Sequence, residues 1–270
     1  MDTGSEFQAA LEALAWQFDL GADEAIAEAP VNRYDAPKPE RQAEPTATAA
    51  IRTASPAAVP AEPAAAASDD AVQAARALAM RAATLDDLRA ALAAYDHCDL
   101  KKGAKTLVFA DGNPAARVLV LGEAPGRDED IEGRPFVGRA GQLLDRMFAA
   151  IDMGRTTPDP DKALYITNVM PWRPPQNRDP APDEIAMMLP FVHRHIELVD
   201  PAVIVVMGNT PCSALLGRKG ITRMRGEWTE ALGRPVLPMF HPAYLLRQPS
   251  MKREAWDDLL TLQAGLRRMR

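Results

Sequence analysis

The sequence predicts a three-layer α/β fold with a central, mainly parallel sheet of four strands. Four short apolar runs, each bounded by turn residues, are the predicted strands. They are RVLVLG at 117–122, ALYIT at 163–167, VIVVMG at 203–208 and PVLPMF at 235–240. Helix-like segments separate these runs along the chain. Strands that are apolar on both faces and connected by helices are typical of a parallel sheet covered on both sides.

Segments with helical apolar spacing supply the two outer layers. They lie at 138–151, 182–198, 210–216 and 250–266, and two more, at 69–80 and 84–94, precede the sheet. Thr84 is a predicted N-cap, because Asp86 and Asp87 follow it in the first turn, where the helix dipole favours negative charge.

The first 68 residues differ in composition from the rest. Residues 29–68 are rich in Ala, Pro and Thr, so they bury too little apolar surface to offset the entropy of ordering. We therefore predict a tail at 1–28, a disordered linker at 29–68 and a folded domain at 69–270. An amphipathic pattern at 7–20 fits either a frayed terminus or a short helix that docks on a partner.

Composition argues against several classes of protein. No run approaches 18 apolar residues, and no basic segment precedes an apolar stretch at the N-terminus. We therefore expect neither a membrane span nor a secretory signal. Two cysteines, Cys98 and Cys212, are too few for a disulfide framework or a four-thiolate metal site. The expected location is cytoplasmic.

The negative charge is confined to the N-terminal third. The net charge is −6, but residues 1–95 hold 15 acidic and 7 basic side chains, whereas residues 96–270 hold 22 acidic and 24 basic ones. The slightly basic remainder is compatible with binding to phosphates.

Polar loops follow three of the four predicted strands. They are GEAPGRDEDIEGRPFVG at 122–138, TNVMPWRPPQNR at 167–178 and HPAYLLR at 241–247. The third strand is followed by GNTPCSALLG, which we interpret mainly as the start of a helix. Ligands of open α/β sheets bind beyond the carboxyl ends of the strands, so the three loops predict one composite site.

Each side chain in these loops has an ordinary interpretation beside the functional one. Phe136 fits the core as well as a ligand pocket, and Asn168 fits a turn as well as the edge of a base, to which a carboxamide both donates and accepts hydrogen bonds. His241 fits a structural or a catalytic role. Arg173 and Arg178 fit phosphate contacts or solvated loop positions.

Five ordered motifs resemble the uracil-DNA glycosylase superfamily, and within it family 4. They are GEAPGRDED, GRPFVGRAGQLLD, YITNVMPWRPPQNR, ITRMRGEW and HPAYLLR, and the resemblance runs from about Cys98 to the C-terminus.

The resemblance implies a role for each matching residue. Glu123 would orient the attacking water, and Ala124 and Pro125 would line the uracil. Phe136 would stack on the flipped base, Asn168 would bind its Watson–Crick edge, and His241 would stabilise charge at uracil O2. Glu129 would exclude the methyl group of thymine. Contacts to DNA would come from Arg173, Arg178, Arg225, Arg247 and Lys252.

The sequence departs from family 4 at the positions of the iron–sulfur ligands. Relatives carry four cysteines that bind a [4Fe–4S] cluster, and the corresponding positions here are Tyr95, Cys98, Trp172 and Met188. We therefore expect no cluster and no metal, with these side chains packed together in the vacated volume.

The resemblance implies a DNA repair enzyme that flips uracil out of DNA and hydrolyses its N-glycosidic bond, leaving an abasic site. The substrate would be single- or double-stranded uracil-containing DNA, and the enzyme would be a monomer associated with the nucleoid. The alternative is a protein that binds uracil or abasic DNA with little turnover. The N-terminal arm could in addition recruit a repair or replication protein.

Overall fold

The computed structural model describes residues 69–269. The predicted tail at 1–28, with its amphipathic pattern, and the predicted linker at 29–68 lie outside the described residues. In the described part no helix is both long and apolar enough to cross a membrane.

After an initial helical segment, helices separate the central strands along the described part of the chain. The helices are α1 (Asp69–Arg81), α2 (Leu85–Ala94), α3 (Leu100–Gly103), α4 (Arg127–Glu132), α5 (Arg139–Ala149), α6 (Pro182–Val199), α7 (Asn209–Leu216), α8 (Ile221–Met224), α9 (Pro242–Arg247) and α10 (Lys252–Arg268). The strands are β1 (Asp111–Gly112), β2 (Val118–Gly122), β3 (Leu164–Asn168), β4 (Val203–Met207), β5 (Thr229–Ala231) and β6 (Arg234–Met239). Two short 3-10 helices occupy Pro175–Asn177 and Pro249–Met251.

The strands form one mixed sheet in the order β1-β3-β2-β4-β6-β5. The four central strands are parallel, which confirms the four-stranded prediction. Short antiparallel strands, β1 and β5, extend the sheet at its two edges. The prediction did not include them.

Successive side chains of each central strand pack into different helical layers. Leu119 and Leu121 of β2 belong to the core beneath α1, α2 and α6. Val118 and Val120 belong to the core that includes α5 and α10. Because side chains alternate across a strand, both faces of the sheet are covered by helices, and the three-layer prediction is confirmed.

The predicted cap of the second helix is present. The Thr84 hydroxyl accepts a hydrogen bond from the backbone of Asp87 at 3.1 Å, and the Asp87 carboxylate accepts one from the backbone of Thr84 at 3.0 Å. This reciprocal arrangement satisfies two backbone N–H groups and fixes where α2 begins.

Candidate functional site

A pocket of about 610 Å³ lies at the carboxyl ends of the central strands. The chain runs from β2 outward to β3 and then returns to place β4 on the other side of β2. Ligands of open α/β sheets bind at such a reversal. The predicted site residues in the pocket lining are Glu123, Ala124, Glu129, Phe136, Asn168, His241 and Arg247. The three predicted loops therefore converge, whereas Pro125 is buried and is not part of the lining.

Asn168 is the last residue of β3 and contributes to the pocket lining. Its Oδ1 atom is buried and has no hydrogen-bond partner. A buried polar atom without a partner costs about 1–3 kcal/mol, so this oxygen is suited to accept a hydrogen bond from a bound molecule. The neighbouring strand contributes Gly122, whose missing side chain makes room for Asn168 and for the ring of Phe136.

Phe136 lies in the pocket in an unusual backbone conformation. Its φ angle is +55°, in the left-handed region that bulky residues rarely adopt. The Phe136 ring centroid lies 5.5 Å from that of His241, and the two planes are tilted by 31°. Phe136 is thus both part of the core around α5 and part of the pocket wall, so the two interpretations of its sequence position are compatible.

His241 follows β6 and is the N-cap of α9. Its Nδ1 atom accepts a hydrogen bond from the backbone of Ala243 at 3.2 Å. Burial, together with a smaller effect of the nearby cation of Arg247, lowers the pKa of the imidazole to about 4. Near neutral pH the ring is therefore uncharged. Because Nδ1 is the acceptor, the ring proton is on Nε2, which is available as a donor.

Glu123 follows β2 and is bonded to a residue that sequence analysis did not single out. The hydroxyl of Thr210, at the start of α7, donates to Glu123 Oε2 at 2.5 Å. Burial raises the pKa of the Glu123 carboxyl, the nearby charge of Asp179 raises it too, and the Thr210 hydrogen bond opposes both effects. The only signal for Thr210 in the sequence is its position just after a strand, where a helix start is the ordinary interpretation.

Glu129 holds the loop around the pocket together. Its Oε2 atom accepts a hydrogen bond from the backbone of Gly126 at 3.0 Å. Its Oε1 atom accepts hydrogen bonds from the backbones of Val137 and Gly138, both at 2.9 Å. One carboxylate in the pocket wall thereby fixes both ends of the segment that carries Phe136.

The five predicted DNA-contacting residues are in different situations. Arg247 and Lys252 are exposed, and Arg173 donates to Asn177 Oδ1 at 2.7 Å. By contrast, Arg178 binds both carboxylate oxygens of Glu184, at 2.8 and 2.6 Å.

Arg225 is engaged in an ion pair inside the fold. It is paired with the buried Asp258 and also donates to the backbone carbonyl of Glu254. Its guanidinium lies 5.5 Å from the centre of the Phe240 ring. A phosphate contact by Arg225 would have to compete with these interactions.

The four positions that correspond to the cluster ligands lie in one hydrophobic core. Tyr95, Cys98, Trp172 and Met188 are each at most 2% exposed. The Tyr95 hydroxyl donates to the carbonyl of Ala71 at 2.9 Å, and its ring packs edge-on against Phe191. A [4Fe–4S] cluster is held by cysteine thiolates, and these residues supply one thiol, so they do not fit the cluster. Nor do residues 69–269 contain a group of three or more His, Cys, Asp or Glu side chains that could hold a metal ion.

Comparison with known proteins finds one family profile and several uracil-DNA glycosylases that are similar to this chain. The family profile described as the Uracil DNA glycosylase superfamily matches residues 109–260. A type-4 uracil-DNA glycosylase from Archaeoglobus fulgidus is 37% identical over 184 residues, which are 65% of this chain and 89% of that protein. A type-4 uracil-DNA glycosylase from Thermotoga maritima is 40% identical over 167 residues, or 60% of this chain and 84% of that protein. The type-4 enzyme from Saccharolobus solfataricus is 36% identical over 178 residues, 63% of this chain and 80% of that protein.

Proposed function

Because the chain belongs to the uracil-DNA glycosylase superfamily and is a uracil-DNA glycosylase, we propose that it flips uracil out of DNA and releases it by water attack at the sugar. The product is an abasic site. The observation that carries this mechanism is the convergence of Phe136, Asn168 and His241 on one pocket, with the Asn168 acceptor left unpaired.

Asn168 identifies the base by its Watson–Crick edge. Uracil presents an N3–H donor and an O4 acceptor, which match the oxygen and the nitrogen of a carboxamide. Cytosine reverses both groups, so each buried group left unpaired would cost about 1–3 kcal/mol. Phe136 stacks on the flipped base, and this contact helps to offset the few kcal/mol that unstacking requires.

His241 stabilises the departing uracil. Bond cleavage leaves negative charge on the base, and a neutral imidazole that donates from Nε2 can bond to O2 as this charge develops. A donor that acts only on the developing charge lowers the barrier without tightening ground-state binding. The hydrogen bond from Ala243 to Nδ1 supports this role, since it keeps the donor on the side of Nε2.

Glu123 orients the attacking water on the sugar side of the pocket. Its ionised form also stabilises the positive character that develops on the sugar. The backbone at Ala124 completes the uracil pocket, whereas Pro125 lies behind the lining. Glu129 excludes the methyl group of thymine by keeping the pocket wall in place, which its three hydrogen bonds to backbone N–H groups support.

The DNA backbone is bound by basic residues near the pocket. Arg247 lines the pocket and is exposed, which supports a contact with a phosphate beside the flipped nucleotide. Arg173 and Lys252 extend this basic surface. Arg178 and Arg225 contribute only if a phosphate displaces their carboxylate partners.

The enzyme works without an iron–sulfur cluster. The side chains of Tyr95, Trp172 and Met188 fill the core beside Cys98, at the positions where the resemblance to family 4 implies cluster ligands. Analysis of the purified protein for iron and acid-labile sulfide, together with its visible spectrum, tests this proposal. Less than about 0.1 iron per chain is expected, and four irons per chain with a brown colour would overturn it.

Uracil release is tested directly with a labelled uracil-containing oligonucleotide, alkaline cleavage and gel analysis. His241→Ala is expected to lower the single-turnover rate about 10²–10³-fold, as removal of a transition-state donor does. Asn168→Ala should also lower this rate by orders of magnitude, because the flipped base loses both contacts to its edge. His97→Ala is the matched control, because His97 is exposed and outside the pocket lining. Tight binding of the oligonucleotide with no cleavage by the wild-type protein would instead favour the uracil- or abasic-DNA binding protein. Full rates in both pocket variants would refute the site.

The chain functions as a monomer with one folded domain at 69–270. Its first 68 residues recruit a repair or replication protein and are dispensable for chemistry. Deletion of residues 1–68 should therefore leave kcat/KM unchanged on a short oligonucleotide. A large loss on that substrate would refute the division of roles.

A further inference from the structure

The backbone of Phe136 requires an external constraint. A bulky residue with φ of +55° is held in a conformation that costs on the order of 1–3 kcal/mol and persists only where neighbouring groups enforce it. The constraint is of functional interest, because this backbone sets where the Phe136 ring lies in the pocket.

Arg155 supplies that constraint from beneath the loop. Its side chain is 9% exposed. Its Nη2 atom donates to the carbonyl of Phe136 at 2.8 Å, and Nη1 donates to the carbonyl of Pro135 at 2.9 Å. Helix α5 also comes close to this carbonyl group of Phe136. A Cβ atom added at Gly141 in α5 would lie 1.8 Å from the carbonyl oxygen.

The guanidinium is itself fixed by two carboxylates on different elements. Its Nε atom donates to Asp145 Oδ1 in α5, and Nη1 also donates to Asp111 Oδ2 in β1, both at 2.9 Å. β1 pairs with β3, the strand that ends in Asn168. The planar fork of an arginine can make these bonds in fixed directions, whereas a lysine ammonium cannot. Arg155 therefore connects the loop of Phe136 to the sheet that carries Asn168.

We propose that Arg155 is a positioning residue that holds the Phe136 ring in register with the base edge bound by Asn168. This inference rests on the proposed stacking role of Phe136. Arg155 is not part of the pocket lining, so its effect on the reaction passes through the backbone of residues 135 and 136.

The test is a double-mutant cycle on the steady-state kinetics of uracil release, with kcat and KM measured separately. Arg155→Lys retains the positive charge but loses the planar guanidinium with its fixed donors, so the Phe136 ring is no longer held in place. A displacement of about 1 Å in a reacting complex costs on the order of 10²-fold in rate. We expect kcat to fall about 10–10²-fold. KM should change little, because the phosphate contacts remain. Phe136→Leu alone should also slow the reaction. If Arg155 acts through the ring, the double variant is no slower than Phe136→Leu alone, since coupled residues are not additive.

Arg194→Lys is the matched control. Arg194 also donates twice to a backbone carbonyl, that of Ala82, at 2.9 and 2.8 Å, but on the α1 side of the molecule. The Arg194→Lys variant should have the same kcat/KM as the wild-type protein. If Arg155→Lys does not fold, as judged by thermal unfolding, Asp145→Ala removes one of the two carboxylate contacts. This variant should give a smaller loss of kcat that again disappears in the Phe136→Leu background.

The outcomes separate the two proposals. If Phe136→Leu is slow and the losses multiply in the double variant, Arg155 does not act through the ring and the inference is overturned, while the stacking role stands. If Phe136→Leu retains the full rate, the stacking role itself fails and the inference fails with it. Full activity of Arg155→Lys would overturn the inference alone.

Discussion

Gly122→Ala is predicted to damage the site by adding a single methyl group. A Cβ atom at this position would lie 2.3 Å from Asn168 Oδ1 and 2.5 Å from Cε2 of Phe136, whereas ordinary contact begins near 3.4 Å. Both side chains would have to retreat by about 1 Å, and displacements of that size cost on the order of 10²-fold in rate. The added methyl also overpacks the end of β2, at a cost of about 1–3 kcal/mol in the free energy of unfolding.

The assay is single-turnover uracil release, with thermal unfolding measured on the same samples. Gly103→Ala is the matched control, since a Cβ atom there has no neighbour within 4 Å. It should leave both the rate and the melting temperature nearly unchanged. If Gly122→Ala were folded and retained a rate within about twofold of the wild type, the close contact of Gly122 with the two pocket side chains would not matter for catalysis, and the argument from geometry would be refuted.

Three further predictions concern the neighbouring groups. Thr210→Val removes the donor that opposes the raised pKa of Glu123, so that pKa should rise and the acid limb of the pH–rate profile should move to higher pH. Activity is lost as pH falls through that pKa, because the ionised carboxylate is the active form. Thr210→Ser should restore the wild-type profile. An unchanged profile in the valine variant would contradict the assignment of that limb to Glu123. Asp258→Ala leaves Arg225 without its buried partner and should lower the free energy of urea unfolding by about 3–5 kcal/mol, whereas a loss below about 1 kcal/mol would show that the pair contributes little. Arg247→Gln should weaken binding of DNA of any sequence and reduce the slope of log K against log salt by about 1, and an unchanged slope would remove Arg247 from the phosphate contacts.

The four central strands were predictable because their signal is local. Each is a run of apolar residues bounded by turn residues, and burial on both faces requires that pattern. The edge strands at Asp111–Gly112 and Thr229–Ala231 have two and three residues, too few for any periodicity. They exist because a neighbouring strand offers unpaired backbone groups, which is a property of the assembled sheet.

The positions of Asn168 and His241 at strand ends were also predictable, since parallel strands bring their carboxyl ends to the same edge. The ionisation state of His241 and the hydrogen bonding of Asn168 were not predictable. The neutral state of His241 depends on burial and on Arg247, and the unpaired oxygen of Asn168 depends on what surrounds it. The sequence likewise predicted Arg225 as a DNA contact, whereas the fold pairs it with Asp258, 33 residues away.

By itself the sequence determined the α/β layering, the order of the motifs and the loops that form the site, because these follow from hydrophobic pattern and turn chemistry over short stretches. Only the tertiary structure decided which groups touch. Thr210 bonds to Glu123 across 87 residues, and Arg155 bonds to Phe136 across 19. Hydrogen bonds and buried charges depend on distances of a few ångströms, and these distances are set by the packing of elements that lie far apart in the chain.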